Sequence, residues 1–322
     1  MQLRPEQLEG HLAKTLAAAY AIHGDEPLLA LEAADAVRAA ARKRGFTERQ
    51  VFEPGRGFDW SEFAHATQSL SLFAEKKVLE LRLPSGKPGT QGGEAIAAYC
   101  ERPAEDLLLL ISVPRLDRAT QNSAWFGALG RAGVVVDIWP MERARLPRWI
   151  AERLARQRQS ASPEVLEFLA DRVEGNLLAA HQEVRKLALV AGEGPLALEA
   201  VQEAVSNVAR YDPNDAAEAL LAGDLGRYVR IIEGLRDEGE APPFLLFAVS
   251  SALFALDRGE RVFNRRLQTA VEAAAGRHAP ERVKQALSQA AAIDRAIKGV
   301  GSGEPWEEFI KLGLKLAHGS KA

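Results

Sequence analysis

The chain has a single cysteine among its 322 residues, Cys100, and no long apolar run. One cysteine cannot form a disulfide within the chain, so we expect a reducing compartment. A membrane-spanning helix needs roughly 18 apolar residues in succession, and the first residues, MQLRPEQLEG, show no signal-peptide core. These absences predict a soluble cytoplasmic protein.

Neither sign of charge dominates the sequence. The chain carries 41 Lys and Arg against 44 Asp and Glu, a net charge of -3 at pH 7. This balance argues against a protein that coats nucleic acid with its whole surface, although a local basic face stays possible. The length suggests two domains, or three small ones.

Strand and helix patterns alternate through the first 140 residues. The strand-like runs are 18–23, 49–52, 78–83, 107–113 and 134–139. The helical patterns are 5–16, 27–44, 59–70, 93–102 and 119–131. Two of the runs, LLLLISV and VVVDIW, are almost wholly apolar, as is typical of strands covered on both faces. The alternation predicts a parallel sheet with helices on both sides.

From Leu146 onward the patterns are helical, and we predict no strand there. Helical patterns cover 146–158, 162–173, 176–191 and 197–208, followed by six more between 214 and 317. Gly175 suits a left-handed helix stop and Asn176 an N-cap. Asp212-Pro213 then breaks the pattern. We predict an α/β domain over 1–140, a small helical domain over 141–210 and a C-terminal helical domain over 211–322.

The first turn from strand to helix, Gly24-Asp25-Glu26-Pro27, stands where a nucleotide-binding domain has its phosphate loop. That loop needs free backbone N–H groups, a helix N-terminus and a lysine. Here the lysine and the second glycine are missing, two carboxylates are present, and Pro27 removes one N–H donor. We interpret the turn as a degenerate phosphate loop in which the acids cap the helix.

No other pattern indicates catalysis or metal binding. The six histidines are scattered without metal-ligand spacing, and we expect surface or helix-face positions for them. Cys100 lies in a helical pattern without a nucleophile motif, so we expect a core or half-buried thiol. The aromatic pair Trp125-Phe126 is most simply part of the core that covers the sheet.

One basic stretch has two interpretations. Between residues 143 and 158 lie the candidate DNA contacts, Arg143, Arg145, Arg148, Arg153 and Arg156, together with Arg158. On a helix that begins near Leu146 they could form a phosphate-binding patch. The alternative is a solvated face with i,i+4 ion pairs such as Glu152–Arg156. No aromatic residues interleave as single-strand stacking requires.

Leu72 and Phe73 are two large apolar residues in a short connection. An amphipathic run ends near Leu70, and an apolar strand begins at Val78. Connections run over the protein surface. The pair must therefore either tuck under the domain or be available to a partner.

Several segments, in order along nearly the whole chain, resemble the delta subunit of the bacterial DNA polymerase III clamp loader. They are YAIHGDEPLL at 20–29, SLSLF at 69–73, LLLLISVPRLD at 107–117, NSAWF at 122–126, LPRWI at 146–150, EGNLLAA at 174–180, ALLAGD at 219–224 and the C-terminal IDRAIKGVGSGEPW. Each motif is weak alone, whereas the ordered set is specific. The C-terminal part is the most divergent.

The resemblance implies an AAA+-like fold of three domains, whose third domain joins a collar with the tau/gamma and delta-prime subunits. It implies no productive ATP binding, no metal and no catalysis by this subunit, within a complex that is a DNA-directed DNA polymerase. The family binds and opens the beta sliding clamp for loading on primed DNA, and its clamp-binding motif maps onto Ser71, Leu72 and Phe73. Two alternatives stay open: an ATP-dependent AAA+ subunit, and a stand-alone DNA-binding protein.

Overall fold

The structure is a computed structural model that describes residues 1–68, 76–206, 209–262 and 264–317. Its contacts divide the chain into two compact units, 1–145 and 146–322. The predicted domain boundaries at 140 and 210 stay predictions. No helix in the described ranges is long and apolar enough to cross a membrane.

The first unit is built on a six-stranded sheet with the order β1-β6-β2-β5-β4-β3. Its strands are β1 (Gln2–Leu3), β2 (Ala19–Gly24), β3 (Phe46–Phe52), β4 (Lys76–Arg82), β5 (Leu107–Val113) and β6 (Val134–Ile138). Every pairing is parallel. The predicted fold class, a parallel α/β unit followed by helices, is confirmed. The sequence missed β1, which is only two residues long.

Helices cover both faces of this sheet. They are α1 (Pro5–Lys14), α2 (Pro27–Lys43), α3 (Trp60–Gln68), α4 (Gly89–Glu101), α5 (Arg118–Gln121) and α6 (Ala124–Ala132). The helix predicted over 119–131 is in fact two, because Asn122 ends α5 and the extended Ser123 begins α6. A three-residue 3₁₀ turn, Arg143–Arg145, follows β6.

Alternate residues along the strands feed two separate cores. Ile22, Leu110 and Val136 pack under α1 and α2. Leu81, Leu109 and Ile111 pack under α3, α4 and α6 with the buried Trp125. This alternation is the two-residue period of a strand. The prediction of a sheet covered on both sides is confirmed.

Near the edge strand β3, one buried acid and three arginines form a charged cluster against the sheet. The Glu80 carboxylate on β4 is buried, and three guanidinium groups bond to it. Arg38 on α2 donates at 3.0 Å, Arg49 on β3 at 2.7 and 2.9 Å, and Arg82 at 3.0 Å. Burial alone would raise the pKa of Glu80, but these bonds and charges outweigh it and hold the pKa below its usual value. One carboxylate is thus the common acceptor for three converging guanidinium groups.

The second unit is mainly helical. Its helices are α7 (Leu146–Arg156), α8 (Pro163–Val173), α9 (Leu177–Val190), α10 (Leu198–Ala204), α11 (Pro213–Ala222), α12 (Leu225–Asp237), α13 (Pro242–Arg258), α14 (Arg265–Ala274), α15 (Pro280–Ile297) and α16 (Pro305–Ala317). The prediction that no strand follows residue 146 is wrong. Gln159–Ala161 and Gly194–Leu196 form a two-stranded parallel sheet, β7 and β8. Strands of three residues, without an apolar run of their own, leave no periodic signal.

The link between α8 and α9 is bonded to the beginning of the C-terminal helices, at Arg210 and at Arg227 on α12. Glu174, Gly175 and Asn176 form this link, and Gly175 has a φ of 74°. The Glu174 carbonyl accepts a 2.7 Å bond from the Arg210 N–H. The buried Glu174 carboxylate accepts bonds of 2.5 and 3.1 Å from Arg227 on α12. Asn176 caps α9 through the Ala179 N–H at 3.1 Å. The predicted helix stop and N-cap are confirmed.

Candidate functional site

The degenerate phosphate loop lies at the carboxyl edge of the sheet, where β2 leads into α2. Strand β2 lies between β5 and β6, and β3, the next strand along the chain, lies at the far edge of the sheet. The connection after β2 thus runs towards one edge of the sheet, whereas the connection after its neighbour β5 runs the other way, to β6. In open α/β sheets, ligands bind outside the carboxyl ends of the strands where neighbouring connections run in opposite directions. The turn at 24–27 therefore lies at the position where a nucleotide would be expected.

Gly24 brings this turn against β6. It has a φ of 149°, and a Cβ built on it would lie 1.9 Å from the carbonyl oxygen of Ile138. A glycine at a phosphate loop usually lets the backbone approach a ligand. Here it lets the backbone approach the neighbouring strand.

Only one of the two acids of the turn stands where it can cap α2. Glu26 occupies the N-cap position, and the backbone N–H of Leu28 acts on its carboxyl, so the predicted cap position holds for Glu26. Asp25 accepts a 2.9 Å bond from the Arg115 N–H in the loop after β5. Pro27 begins the helix, as predicted. The competing partner, a distant backbone N–H brought close by the fold, explains the error for Asp25.

Burial raises the pKa of the Glu26 carboxyl. The side chain is buried in the turn that a triphosphate would approach. A carboxyl in this position offers a phosphate no positive charge, and none of its oxygens can donate a bond when ionised. The turn thus supplies no positive side chain for a phosphate, and the absence of ATP binding stays a prediction.

A buried histidine ties the loops at this edge together. His23, at the end of β2, accepts a 2.9 Å bond at Nε2 from the Leu116 N–H. A ring nitrogen that accepts carries no proton, so Nδ1 holds the proton and donates to Asp137 on β6 at 3.2 Å. The ring also packs edge-on against Phe126, 5.6 Å between centroids. His23 is therefore a buried structural residue, and the expectation of a surface or helix-face position is wrong for it.

The five candidate DNA-contacting arginines have different surroundings. Arg145 pairs with Glu6 at 2.5 Å, and Arg148 pairs with Glu152 at 2.9 Å, all four side chains being exposed. Glu152 thus pairs with Arg148, where the sequence suggested Arg156.

Arg153 lies over the ring of Trp149, 3.9 Å from its centroid, and its Nη1 is 3.0 Å from Nδ1 of His181. Arg156 is exposed on α7, and Arg143 is half-buried in the 3₁₀ turn. The contacts of Arg145, Arg148 and Arg153 are those of surface ion pairs and packing. DNA contact by these residues stays a prediction.

The clamp-binding candidates Ser71, Leu72 and Phe73 lie outside the described residues. Their neighbours on either side are described: α3 ends at Gln68 and β4 begins at Lys76. Because β4 is parallel to β2, it begins at the amino edge of the sheet. The chain thus enters β4 at the edge opposite the turn at 24–27.

Cys100 lies on α4 and is buried. Burial raises the pKa of its thiol to about 12, so the reactive thiolate is scarce at neutral pH. The prediction of a core thiol is confirmed. Across the described ranges, no group of three His, Cys, Asp or Glu side chains could hold a metal ion.

The fold and this edge of the sheet define a class: an α/β protein with appended helices, whose nucleotide-type turn carries acids in place of a lysine. Comparison with known proteins makes this specific. The family model for DNA polymerase III, delta subunit, matches residues 20–138. DNA polymerase III subunit delta of Escherichia coli is 32% identical over 333 residues, covering 99% of this chain and 97% of that protein. The chain therefore belongs to the DNA polymerase III delta subunit family, and the resemblance drawn from its motifs is confirmed.

Further matches extend the comparison. DNA polymerase III subunit delta of Haemophilus influenzae is 29% identical over 263 residues, covering 78% of this chain and 74% of that protein. Among solved structures, the Bacillus subtilis DNA clamp loader delta protein is similar with a TM-score of 0.49 and 16% identity, covering 96% of this chain and 98% of that one. The Thermotoga maritima RuvB Holliday junction branch migration motor is similar with a TM-score of 0.43 and 13% identity, over 85% of this chain and 88% of that one.

Proposed function

We propose that this chain binds the beta sliding clamp and opens it for loading on primed DNA, as a subunit of the clamp loader that carries no ATP and no catalytic site of its own. The observation that carries the proposal is the 32% identity to a DNA polymerase III subunit delta over 99% of the chain. Within the loader, the C-terminal helices join the tau/gamma and delta-prime subunits.

The clamp-binding contact is assigned to Leu72 and Phe73, with Ser71 beside them. Burying a Leu and a Phe in an apolar pocket of the clamp stabilises the complex by about 1.5–3 kcal/mol each. Such anchors commonly dominate the energy of an interface. To open a ring, the subunit must bind the open form more tightly than the closed form, because equal affinity shifts nothing. A wedge at one interface of the ring would supply that difference.

Leu72→Ala combined with Phe73→Ala is expected to weaken clamp binding by at least about 100-fold, since two apolar anchors of this size are removed. The measurement is surface plasmon resonance of the purified chain over immobilised beta clamp, with circular dichroism to show that the fold is kept. Leu189 and Val190, 88% and 66% exposed on α9, provide a matched adjacent pair. Leu189→Ala with Val190→Ala should leave the affinity unchanged. Equal affinities for the two double variants would refute the proposal.

The ATP-dependent alternative is disfavoured by the acids at 25 and 26 and by the approach of Gly24 to Ile138. Calorimetry of the isolated chain with Mg-ATP is expected to show no binding at micromolar concentrations, because the turn lacks a lysine and bears carboxylates. The ATP-binding subunits of the same loader serve as a positive control. A micromolar dissociation constant for this chain would revive the alternative.

A further inference from the structure

The described helices that follow residue 146 fall into two groups with separate apolar interiors. The small helical group is α7–α10, and the C-terminal group is α11–α16. The main apolar core of the C-terminal group draws its buried residues from 216–316. In the part of the chain that the structure describes, no helix of the small group packs along the length of a helix in the C-terminal group. Apolar burial, the dominant favourable term in folding and association, therefore contributes little to the joint between them.

Two ion pairs cross this joint, and together we call them the latch. The Arg227 guanidinium on α12 donates to the Glu174 carboxylate at 2.5 and 3.1 Å, and these side chains are only 13% and 6% exposed. Arg230, one turn further along α12, pairs with Asp171 on α8 at 2.8 Å. Residues three apart on a helix lie on the same face, so α12 presents both arginines to the end of α8. Two pairs at two points fix an orientation, which a single pair does not.

Further polar contacts complete the joint. The Arg210 N–H donates to the Glu174 carbonyl at 2.7 Å. The Tyr211 hydroxyl donates to the Asp171 carbonyl at 3.4 Å, and burial raises the pKa of this hydroxyl to about 12, so it keeps its proton at neutral pH. The Tyr211 ring packs on the core of the C-terminal group. Because hydrogen bonds depend on direction, these contacts are lost when the two groups rotate apart.

Arg227 also has acids of its own group nearby. Asp215 and Glu218 on α11 share one arginine, Arg266 on α14, at 2.9 and 2.7 Å. Burial alone would lower the pKa of Arg227, but Glu174 and, more weakly, the two acids on α11 raise it. If Glu174 withdraws to water, Arg227 is still stabilised by two acids that have one other arginine between them. The open joint thus avoids an unpaired buried charge, the state that makes a broken buried pair costly.

We propose that the latch sets the orientation of the small helical group on the C-terminal group, and that it opens when Arg227 exchanges Glu174 for the acids of α11. The two partners of one arginine make the joint a two-state element of the hinge type. The consequence rests on the function proposed above. The clamp-binding residues precede the small group in the chain and the assembly helices follow it, so the latch lies on the connection between the two contacts. Clamp loading, in which both contacts act at once, therefore requires the latch, whereas clamp binding does not.

Single-molecule energy transfer measures the orientation, with dyes on cysteines introduced by Leu189→Cys on α9 and Lys284→Cys on α15, both exposed positions. Burial raises the pKa of the native Cys100 thiol to about 12, so it reacts slowly with the dyes. The wild-type latch should give one narrow distance distribution. Glu174→Gln keeps the shape of the side chain and removes its charge. It is expected to raise the fraction of open molecules at least about 10-fold, because a buried pair has lost one charge.

Three further variants separate the latch from a general loss of structure. Glu193→Gln removes an exposed ion pair within the small group, with Arg158 at 3.2 Å, and should leave the distance distribution unchanged. Asp171→Arg brings two arginines together at the more exposed pair of the latch and should open the joint. Adding Arg230→Glu to that variant restores an ion pair and should return the narrow distribution. Circular dichroism shows that each variant is folded.

Clamp loading tests the consequence. In a loader reconstituted with the Glu174→Gln chain, the number of clamps retained on primed circular DNA should fall at least about 5-fold, the lower end of usual coupling between sites. The affinity of the isolated variant for the clamp, by surface plasmon resonance, should be unchanged.

Identical distance distributions for the wild type, Glu174→Gln and Asp171→Arg would overturn the latch. A shifted distribution with undiminished loading would overturn its role in loading. A wild-type chain that does not bind the clamp would instead overturn the proposed function, and the distance measurement would still decide the latch.

Discussion

Glu80→Ala is expected to lower the free energy of unfolding by about 3–5 kcal/mol, the cost of removing one partner from a buried ion pair. The Glu80 side chain is 2% exposed and is the common acceptor for Arg38, Arg49 and Arg82. Without the Glu80 carboxylate, the three guanidinium groups would repel one another beside β3 and β4. Asp35 pairs with Arg38 and would still balance part of that charge. Urea unfolding followed by circular dichroism measures the loss.

Glu48→Ala provides the control, because Glu48 is an exposed acid on the neighbouring strand β3. It should change the free energy of unfolding by no more than about 0.5 kcal/mol. Equal effects for the two substitutions would show that the buried network contributes little.

The same carboxylate predicts how stability depends on pH. Its pKa is lowered in the folded chain from a usual value of 4.5. A group with a depressed folded pKa stabilises fully above its unfolded pKa, and this contribution is lost as the pH falls through the folded pKa. The stability difference between the wild type and Glu80→Gln should therefore be constant near neutral pH and shrink below about pH 4. A difference that grows on acidification would contradict the assignment.

Gly175→Ala is expected to lower the free energy of unfolding by about 2–6 kcal/mol. The residue has a φ of 74°, and a Cβ would lie 1.8 Å from the Arg210 carbonyl oxygen. Left-handed backbone strain costs about 1–3 kcal/mol, and forcing an overpacked contact apart costs about 1–3 kcal/mol more. A movement of the backbone at 175 to relieve this collision would also disturb the bonds of Glu174 to Arg210 and Arg227. Those bonds join the link between α8 and α9 to the C-terminal helices.

Gly192 separates the two costs. Its φ is 66°, and a Cβ there would meet nothing within 4 Å. Gly192→Ala therefore carries the backbone strain without the collision and should cost less by urea unfolding. If Gly175→Ala and Gly192→Ala lower the free energy of unfolding equally, the close approach of residue 175 to Arg210 does not contribute to stability.

Much of the α/β unit follows from local pattern. The runs at 107–113 and 134–138 are almost wholly apolar because these strands lie inside the sheet, and the predicted range of β5 matches its observed bounds. Gly175 and Asn176 were predictable because a helix stop and an N-cap depend on neighbouring backbone groups. The lysine missing from 24–27 was equally visible, since a phosphate loop is a contiguous motif.

Contacts between distant residues decided the rest. Asp25 bonds to the N–H of Arg115, 90 positions away, so a local cap was the wrong prediction. His23 meets Asp137 across 114 positions, and Glu80 gathers arginines from α2 and β3. The strands β7 and β8 escaped detection because each is defined by hydrogen bonds to the other, not by an apolar run.

Sequence alone therefore established the main alternation of strands and helices in the first unit, the missing lysine at 24–27 and the family, because periodicity and ordered motifs are properties of the linear chain. Tertiary structure alone showed that an apolar helix, α13, exposes all three of its phenylalanines. Burial is decided by what packs against a residue, and hydrophobicity does not report it. The same reasoning applies to Leu72 and Phe73. Their hydrophobicity leaves burial and exposure both open, the family resemblance favours a partner, and clamp binding by the purified chain is the measurement that tests it.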